Sequence, residues 1–77
     1  MTTARQQAPI HNRVAKLRRE RGLSRHQLAE AVGVHYQTIG YIERGEYSPS
    51  LRVALLVAEA LDLPVEVVFS NEPFAEP

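Results

Sequence analysis

Five positions in one stretch of this sequence could carry recognition chemistry, because helical spacing places them on a common face. Ile39 and Ile42 fall on one apolar stripe, and we expect both to point into a core. A glutamine amide is planar and can grip the N6 and N7 atoms of an adenine, which gives about 1–3 kcal/mol of discrimination. Gln37 is therefore the first candidate for reading a base in a DNA groove. The outward positions of this helix are Tyr36, Gln37, Gly40, Tyr41 and Arg44.

The other outward residues carry weaker individual signals. Tyr36 and Tyr41 can donate hydrogen bonds to phosphate or pack on a thymine methyl group, or they can simply cover an apolar edge of the surface. Arg44 stands at the far end of the helix, where we expect it to meet a phosphate. Gly40 either lets the backbone approach a groove closely or has no role, at a cost of about 1 kcal/mol relative to alanine.

Two short helices joined by a tight turn must hold this face in place. Ser24 and Gln27 have the spacing of a capping box, which predicts a helix start. Gly33 can take the left-handed conformation that commonly ends a helix. Helices over about residues 25–32 and 36–44 must then cross steeply, which predicts a helix-turn-helix. The apolar residues at helical spacing in the first of them are Leu28, Ala29 and Val32.

Three further helices are predicted to pack around this pair, because helices of about eight residues are not stable alone in water. The first begins near Asn12, a good N-cap residue, and covers about residues 12–21. The fourth covers about residues 51–61, and Ser50 can cap its start. A fifth, short helix follows Pro64.

The fourth helix is apolar on almost every side. A surface helix needs only one apolar stripe, so the second stripe must be covered by the chain or by a partner. The first stripe comprises Leu51, Ala54, Leu55, Ala58 and Leu61, and the second Val53, Leu56, Val57 and Ala60.

Several motifs, in this order, resemble the Cro/CI-type (Xre-type) helix-turn-helix regulators over roughly residues 12–69. They are Gln27-Leu28-Ala29, Gly33-Val34, Thr38-Ile39, Ile42-Glu43-Arg44-Gly45 and Pro49-Ser50-Leu51. The resemblance implies an all-α, five-helix lambda-repressor-like DNA-binding domain. Its partner would be double-stranded DNA, with no cofactor and no small-molecule ligand.

The same resemblance implies roles for individual residues. The base-reading face of the family matches Tyr36, Gln37, Gly40 and Tyr41. Contacts to the DNA backbone match Arg25, Gln27, His35, Thr38 and Arg44. His35 occupies an N-cap position where the family usually has serine or threonine, so we expect a weaker cap and an imidazole left free for phosphate.

Arg18 falls on the apolar stripe of the first helix, where a charged side chain requires a partner. Glu43 lies on the inward stripe of the third helix and is the natural candidate. In the family, the matching positions pair across the core. The alternative is that Arg18 extends to solvent along its methylene groups.

The charges of the chain are unevenly distributed, although the formal net charge is zero. Residues 1–25 hold seven basic residues and one acid, whereas residues 26–77 hold two basic residues and eight acids. If the fold keeps the two parts separate, one basic pole and one acidic pole result, and the basic pole would favour phosphate contact. The alternative is two solvated faces.

The sequence also argues against several classes of protein. It has 77 residues and no cysteine, which allows one domain and excludes disulfides. His11, His26 and His35 lack metal-ligand spacing, so no metal site is expected. We find no glycine-rich phosphate loop and no Ser/His/Asp arrangement, so we do not expect an enzyme. The polar start and the lack of a long apolar run indicate no membrane span and a cytoplasmic protein.

The expected domain organisation has three parts. Residues 1–9 form a flexible arm, in which Arg5 could reach DNA. Residues 10–69 form the helix-turn-helix domain, and residues 70–77 form a tail. This tail either folds back on the body or pairs as a short β-strand with residues near Ile10.

Two functions remain open at this stage. The first is a regulator, more specifically a repressor, that binds an inverted-repeat operator as a homodimer, since one helix in a groove buries too little surface for tight specificity. The alternative is a protein-interaction module of the same fold, antitoxin-like or co-activator-type. The expected dimer interface comprises Leu56, Val67, Phe69 and Phe74.

Overall fold

The computed structural model describes residues 8–75, so the predicted contacts of Arg5 lie outside the described part. Five helices and two short strands follow one another. They are β1 (His11–Asn12), α1 (Val14–Glu20), α2 (Arg25–Val32), α3 (Tyr36–Glu43), α4 (Leu51–Ala60), α5 (Val65–Val68) and β2 (Phe69–Ser70). The all-α prediction with a terminal strand pairing is confirmed. In residues 8–75 no helix is long and apolar enough to cross a membrane.

The local signals for the helix-turn-helix pair are all present. Ser24 Oγ accepts from the Gln27 backbone N–H at 3.0 Å, and Gln27 Oε1 accepts from the Ser24 N–H at 2.8 Å, which completes the capping box. Gly33 ends α2 with φ of 86°, a conformation that side chains with a Cβ rarely adopt. Ser50 Oγ caps α4 by accepting from the Val53 N–H.

The N-cap of α1 lies one residue later than predicted. Asn12 lies in β1 rather than at the N-cap, and Arg13 takes that position. Asn12 still performs the capping chemistry, because its Oδ1 accepts from the Val14 backbone N–H at 3.0 Å. Its Nδ2 meanwhile donates to the Ile42 carbonyl at 2.9 Å, so one side chain serves both the start of α1 and the end of α3.

One hydrophobic core lies between the helices. Its fully buried large side chains are Val14, Leu28, Ile39, Ile42, Val57, Leu61 and Val68. The first of the two apolar stripes does not form the inner face of α4 as a unit, because Leu51 and Leu55 are 73% and 48% exposed. The face that packs on the core combines both predicted stripes, with Ala54, Val57, Ala58 and Leu61 buried.

The first and last described segments of the chain are held together by a strand pair and by one arginine. β1 pairs with β2 in antiparallel orientation, with His11 opposite Ser70 and Asn12 opposite Phe69. Arg13 donates through Nε and Nη2 to the Val67 carbonyl at 3.1 and 2.8 Å. The Phe74 ring lies 4.4 Å from the Arg13 guanidinium carbon, so the described part of the tail folds back on the body.

A buried carboxylate links the first three helices. The side chain of Glu43 is 2% exposed, and Arg18 Nε donates to its Oε2 at 2.7 Å. Arg25 Nε donates to its Oε1 at 2.8 Å, a second partner that the sequence did not predict. Burial raises the pKa of Glu43, but hydrogen bonds and charges of Arg18 and Arg25 outweigh burial and hold that pKa below its ordinary value of 4.5.

The fold does not keep the basic and acidic parts of the chain separate. Arg13 reaches the end of α5, and Arg21 Nε donates to the Leu61 carbonyl at the end of α4 at 2.6 Å. Arg18 Nη1 donates to the Leu23 carbonyl at 2.9 Å. These guanidiniums satisfy carbonyl groups that helices and turns leave unpaired, so the predicted basic pole is only partly available for an outside partner.

Acid should weaken this fold through Glu43. The pKa of Glu43 is lower in the folded chain than in the unfolded chain, so the unfolded chain takes up its proton first as pH falls. The stabilising contribution is therefore fully present above pH 4.5 and is lost as pH falls through the lower folded pKa. Urea unfolding from pH 7 to pH 3 should show this decline.

Two variants test whether Glu43 is the group that causes the loss of stability in acid. Glu43→Gln should be less stable at pH 7 and decline less steeply in acid, since it has no carboxyl group to titrate. Glu30→Gln changes an exposed carboxylate on α2 and should retain the wild-type decline. An unchanged slope in Glu43→Gln would contradict the assignment.

Candidate nucleic-acid interface

The outward face of α3 brings the predicted recognition residues into one shallow cleft. Tyr36 and Tyr41 are 38% and 44% exposed, and Gln37 is also exposed. The cleft has a volume of about 160 Å³ and is lined by Arg25, Tyr36, Gln37, Gly40, Tyr41 and Arg44. Ile39 and Ile42 lie on the opposite side of the helix, at 0% and 1% exposure. Planar, hydrogen-bonding and cationic side chains therefore converge on a single accessible surface.

Arg25 enters this surface from the start of α2. Its side chain is 41% exposed, and its Nε is held by the buried Glu43 carboxylate. Since a guanidinium has five N–H donors, four remain for an outside acceptor. The free backbone N–H groups and the dipole at the N-terminus of α2 favour an anion at the same place.

The sequence analysis placed Gly40 on the exposed face of α3, but the structure does not expose it. It is buried, because the Arg44 side chain lies back across it. A Cβ added at Gly40 would lie 3.2 Å from Arg44 Nη1. The outward position is correct, but the glycine backbone is covered by a guanidinium rather than open to a groove.

His35 caps α3 through one ring nitrogen, so its imidazole is not left entirely free as the sequence predicted. Its Nδ1 accepts from the Gln37 backbone N–H at 3.2 Å, so the imidazole performs the task usually given to a hydroxyl. That acceptor exists only while Nδ1 carries no proton. The ring also lies against Tyr36, with centroids 4.7 Å apart.

His26 is a candidate interface residue that sequence reasoning missed. Its ring stacks on Tyr36 with centroids 4.0 Å apart and an interplanar angle of 27°. Tyr36 is thus bracketed by one histidine from α2 and one from the turn before α3. No local periodicity in the sequence connects positions 26 and 36, so this contact had no readable signal.

The remaining predicted backbone contacts are less clearly available. Gln27 is exposed, but its amide oxygen is occupied in the capping box, which leaves its amide nitrogen. Thr38 is half-buried in the first turn of α3. Arg44 Nε donates to Glu46 Oε2 at 2.8 Å. In the described range 8–75, no group of three or more His, Asp or Glu side chains is arranged to hold a metal ion.

Comparison with known proteins identifies the family. Residues 14–68 match the helix-turn-helix family model HTH_3. The chain belongs to the HTH_3 family. The resemblance to Cro/CI-type regulators is therefore confirmed.

Curated relatives of this HTH_3 chain carry regulator names. It is 45% identical over 60 residues to the uncharacterized HTH-type transcriptional regulator YgzD of Bacillus subtilis, covering 78% of this chain and 91% of that protein. It is 35% identical over 63 residues to the immunity repressor protein of Bacillus phage phi105, covering 82% of this chain and 44% of that protein.

A solved structure is similar as well. The restriction-modification controller protein C.AhdI from Aeromonas hydrophila superimposes with a TM-score of 0.68 at 35% identity, over 70% of this chain and 82% of that chain. Family, relatives and fold are those of helix-turn-helix transcriptional regulators, which supports a DNA-binding regulator.

The His35 cap yields a stability prediction. His35→Ala removes the acceptor for the Gln37 N–H and should lower the free energy of unfolding by about 1 kcal/mol. His35→Asn supplies another good N-cap acceptor and should lose less, although it lacks the ring that touches Tyr36. Thermal unfolding followed by circular dichroism measures both. Equal losses would indicate that the ring contact, rather than the cap, stabilises this turn.

Proposed function

We propose that this chain is a sequence-specific DNA-binding regulator that places α3 in the major groove. The observation that carries the proposal is the convergence of Tyr36, Gln37 and Tyr41 on one exposed face, beside two arginines. A B-form major groove admits one α-helix, and its base edges present hydrogen-bond donors and acceptors to such a face. Gln37 offers two bonds to an adenine, and the tyrosines reach phosphate or a thymine methyl group.

Contacts to the DNA backbone fix the orientation of α3. Arg25 supports this role, because its guanidinium is held by Glu43 and keeps four donors free. We assign further backbone contacts to Gln27, through its amide nitrogen, and to His35 and Thr38 at the start of α3. These contacts make affinity depend on salt, because each neutralised phosphate releases counterions.

Loss of base preference is the decisive test of this site. Gln37→Ala removes the amide that we assign to an adenine, so affinity for the preferred site should fall by about 1–3 kcal/mol while binding to random DNA changes little. Tyr36→Ala should act in the same direction. Selection of bound sequences from a random pool, followed by affinity measurements on the selected duplex, gives both quantities.

Asn71→Ala is a matched control. It also replaces a primary amide with a methyl group, at an exposed position after β2, and should leave affinity and base preference unchanged. If Gln37→Ala and Tyr36→Ala bind the selected and random duplexes as wild type does, the site is wrongly assigned.

We further propose that the chain binds an inverted repeat as a homodimer and represses by covering a promoter. Two symmetric half-sites about 34 Å apart would double the small footprint of one helix. Repression is favoured by the relative that is named an immunity repressor. The interface would comprise Leu56, Val67, Phe69 and Phe74, all of which are half-buried in the single chain.

The contacts of Arg13 support two members of this interface. It bonds the Val67 carbonyl and stacks on Phe74, so these residues lie near one another on one side of the body. Their partly exposed apolar surface is what a second copy would bury.

Sedimentation tests the dimer. Wild-type protein should sediment as a dimer at tens of micromolar, free or bound to operator DNA. Val67→Glu places a charge in the proposed interface and should shift the protein to monomer without loss of helical signal, since Val67 is outside the buried core. A wild-type protein that stays monomeric both free and on DNA would contradict the proposed assembly.

A protein-interaction module is the second candidate function. It is favoured by Leu51 and Leu55, which leave a large apolar surface on α4 exposed. A wild-type chain that selects no DNA sequence but retains one protein partner in stoichiometric amounts would favour this alternative.

A further inference from the structure

We propose that Arg44 reads a guanine in the major groove, rather than contacting a phosphate at the end of α3. Gly40, Tyr41 and Glu46 position its guanidinium for this purpose. The inference rests on the proposed DNA-binding function and adds a specificity-determining residue to the same site. It replaces the phosphate contact that the sequence position of Arg44 suggested.

The absence of a side chain at Gly40 leaves room on α3 for the Arg44 guanidinium. Arg44 follows Gly40 by four residues, so both lie on the same face, and long helical side chains point back toward the N-terminus. The guanidinium lies over the glycine, with Nη1, Nη2 and the central carbon 3.2, 3.8 and 3.9 Å from where a Cβ would stand. Arg44 is therefore drawn back into the cleft that Tyr36, Gln37 and Tyr41 line.

Two neighbours contact this guanidinium and favour its present orientation. Glu46 Oε2 accepts from Arg44 Nε at 2.8 Å, and the Tyr41 ring centroid lies 5.3 Å from the guanidinium carbon. With Nε occupied, the two terminal nitrogens keep their four N–H donors. Guanine presents two acceptors, O6 and N7, in the major groove, and an arginine fork that bonds both is the commonest specific contact to a base.

The presence of glycine in α3 fits this role. Glycine is a poor helix former, and α3 has only eight residues. A Cβ at position 40 would stand 3.2 Å from Arg44 Nη1, so the guanidinium would have to shift slightly away from the helix. Glycine therefore weakens α3 locally, but it leaves room in the middle of the recognition face for the guanidinium of Arg44, one turn later.

Sequence selection and salt dependence separate a base contact from a phosphate contact. Arg44→Ala should lose one guanine preference in each half-site, with affinity for the selected duplex falling about 5- to 150-fold for each half-site contacted and the salt slope little changed. Arg44→Lys keeps the charge but not the fork, and should also lose that preference. If instead both variants select the wild-type sequence, and Arg44→Ala weakens all duplexes alike with a salt slope lower by about one per subunit, the proposal is overturned.

The role of Gly40 requires a double-mutant cycle. Gly40→Ala adds a methyl group 3.2 Å from Arg44 Nη1 and should raise the melting temperature while reducing the guanine preference. In the Arg44→Ala background the same change should have little further effect on DNA binding. An equal loss in both backgrounds would mean that Gly40 serves close approach of the backbone to DNA, and would overturn the positioning role.

Glu46→Gln should change guanine preference and binding to random DNA in opposite directions. It weakens the bond that orients Arg44, so guanine preference should fall, while removal of a negative charge should strengthen binding to random DNA. Strengthened binding with unchanged preference would exclude Glu46 as a positioning residue. If wild-type protein selects no sequence at all, the DNA-binding function itself fails; a selected motif that is unaltered in Arg44→Ala rejects only the present inference.

Discussion

The buried carboxylate of Glu43 is the contact on which the geometry of the interface depends. It comes from the end of α3 and binds Arg18 of α1 and Arg25 of α2 at 2.7 and 2.8 Å. A buried ion pair adds little net stability, but leaving one partner unpaired costs about 3–5 kcal/mol. Alternative packings of these helices are therefore penalised, and the angle between α2 and α3 is restricted. The same bond orients Arg25 at the surface, so a structural contact also positions the side chain to which we assign a DNA contact.

Donors from the N-terminal part of the chain hold the other helices in a similar way. Asn12, Arg13 and Arg21 bond carbonyls at the ends of α3, α5 and α4. Helix C-termini carry unpaired carbonyls and partial negative charge, so cations and amides are stabilising there. Much of the positive charge near the start of the chain is thus used within the fold. Zero net charge is compatible with the proposed DNA binding, because Arg25 and Arg44 still line the cleft.

The sequence predicts features whose partners lie within a few residues. The capping box of Ser24 and Gln27, the αL residue Gly33 and the cap at Ser50 are of this kind, and each has the expected geometry. Contacts between distant residues, such as the stack of His26 on Tyr36, have no such signal. The near-uniform apolar character of α4 likewise gave no unique inward face, so the exposure of Leu51 and Leu55 could not be inferred.

At Gly40 the sequence indicates an unfavourable residue within a helix but not the reason for it. A glycine within an eight-residue helix contradicts the local preference by about 1 kcal/mol, a sizeable share of a total stability of about 5–15 kcal/mol. Such a conflict between local preference and fold is expected where function imposes a further requirement. The sequence shows the conflict but not its cause. The position of Arg44 over the glycine depends on its side-chain rotamer and its bond to Glu46, and only the structure gives these. The core supplied by Ile39 and Ile42 is what allows α3 to tolerate a residue that weakens it as an isolated helix.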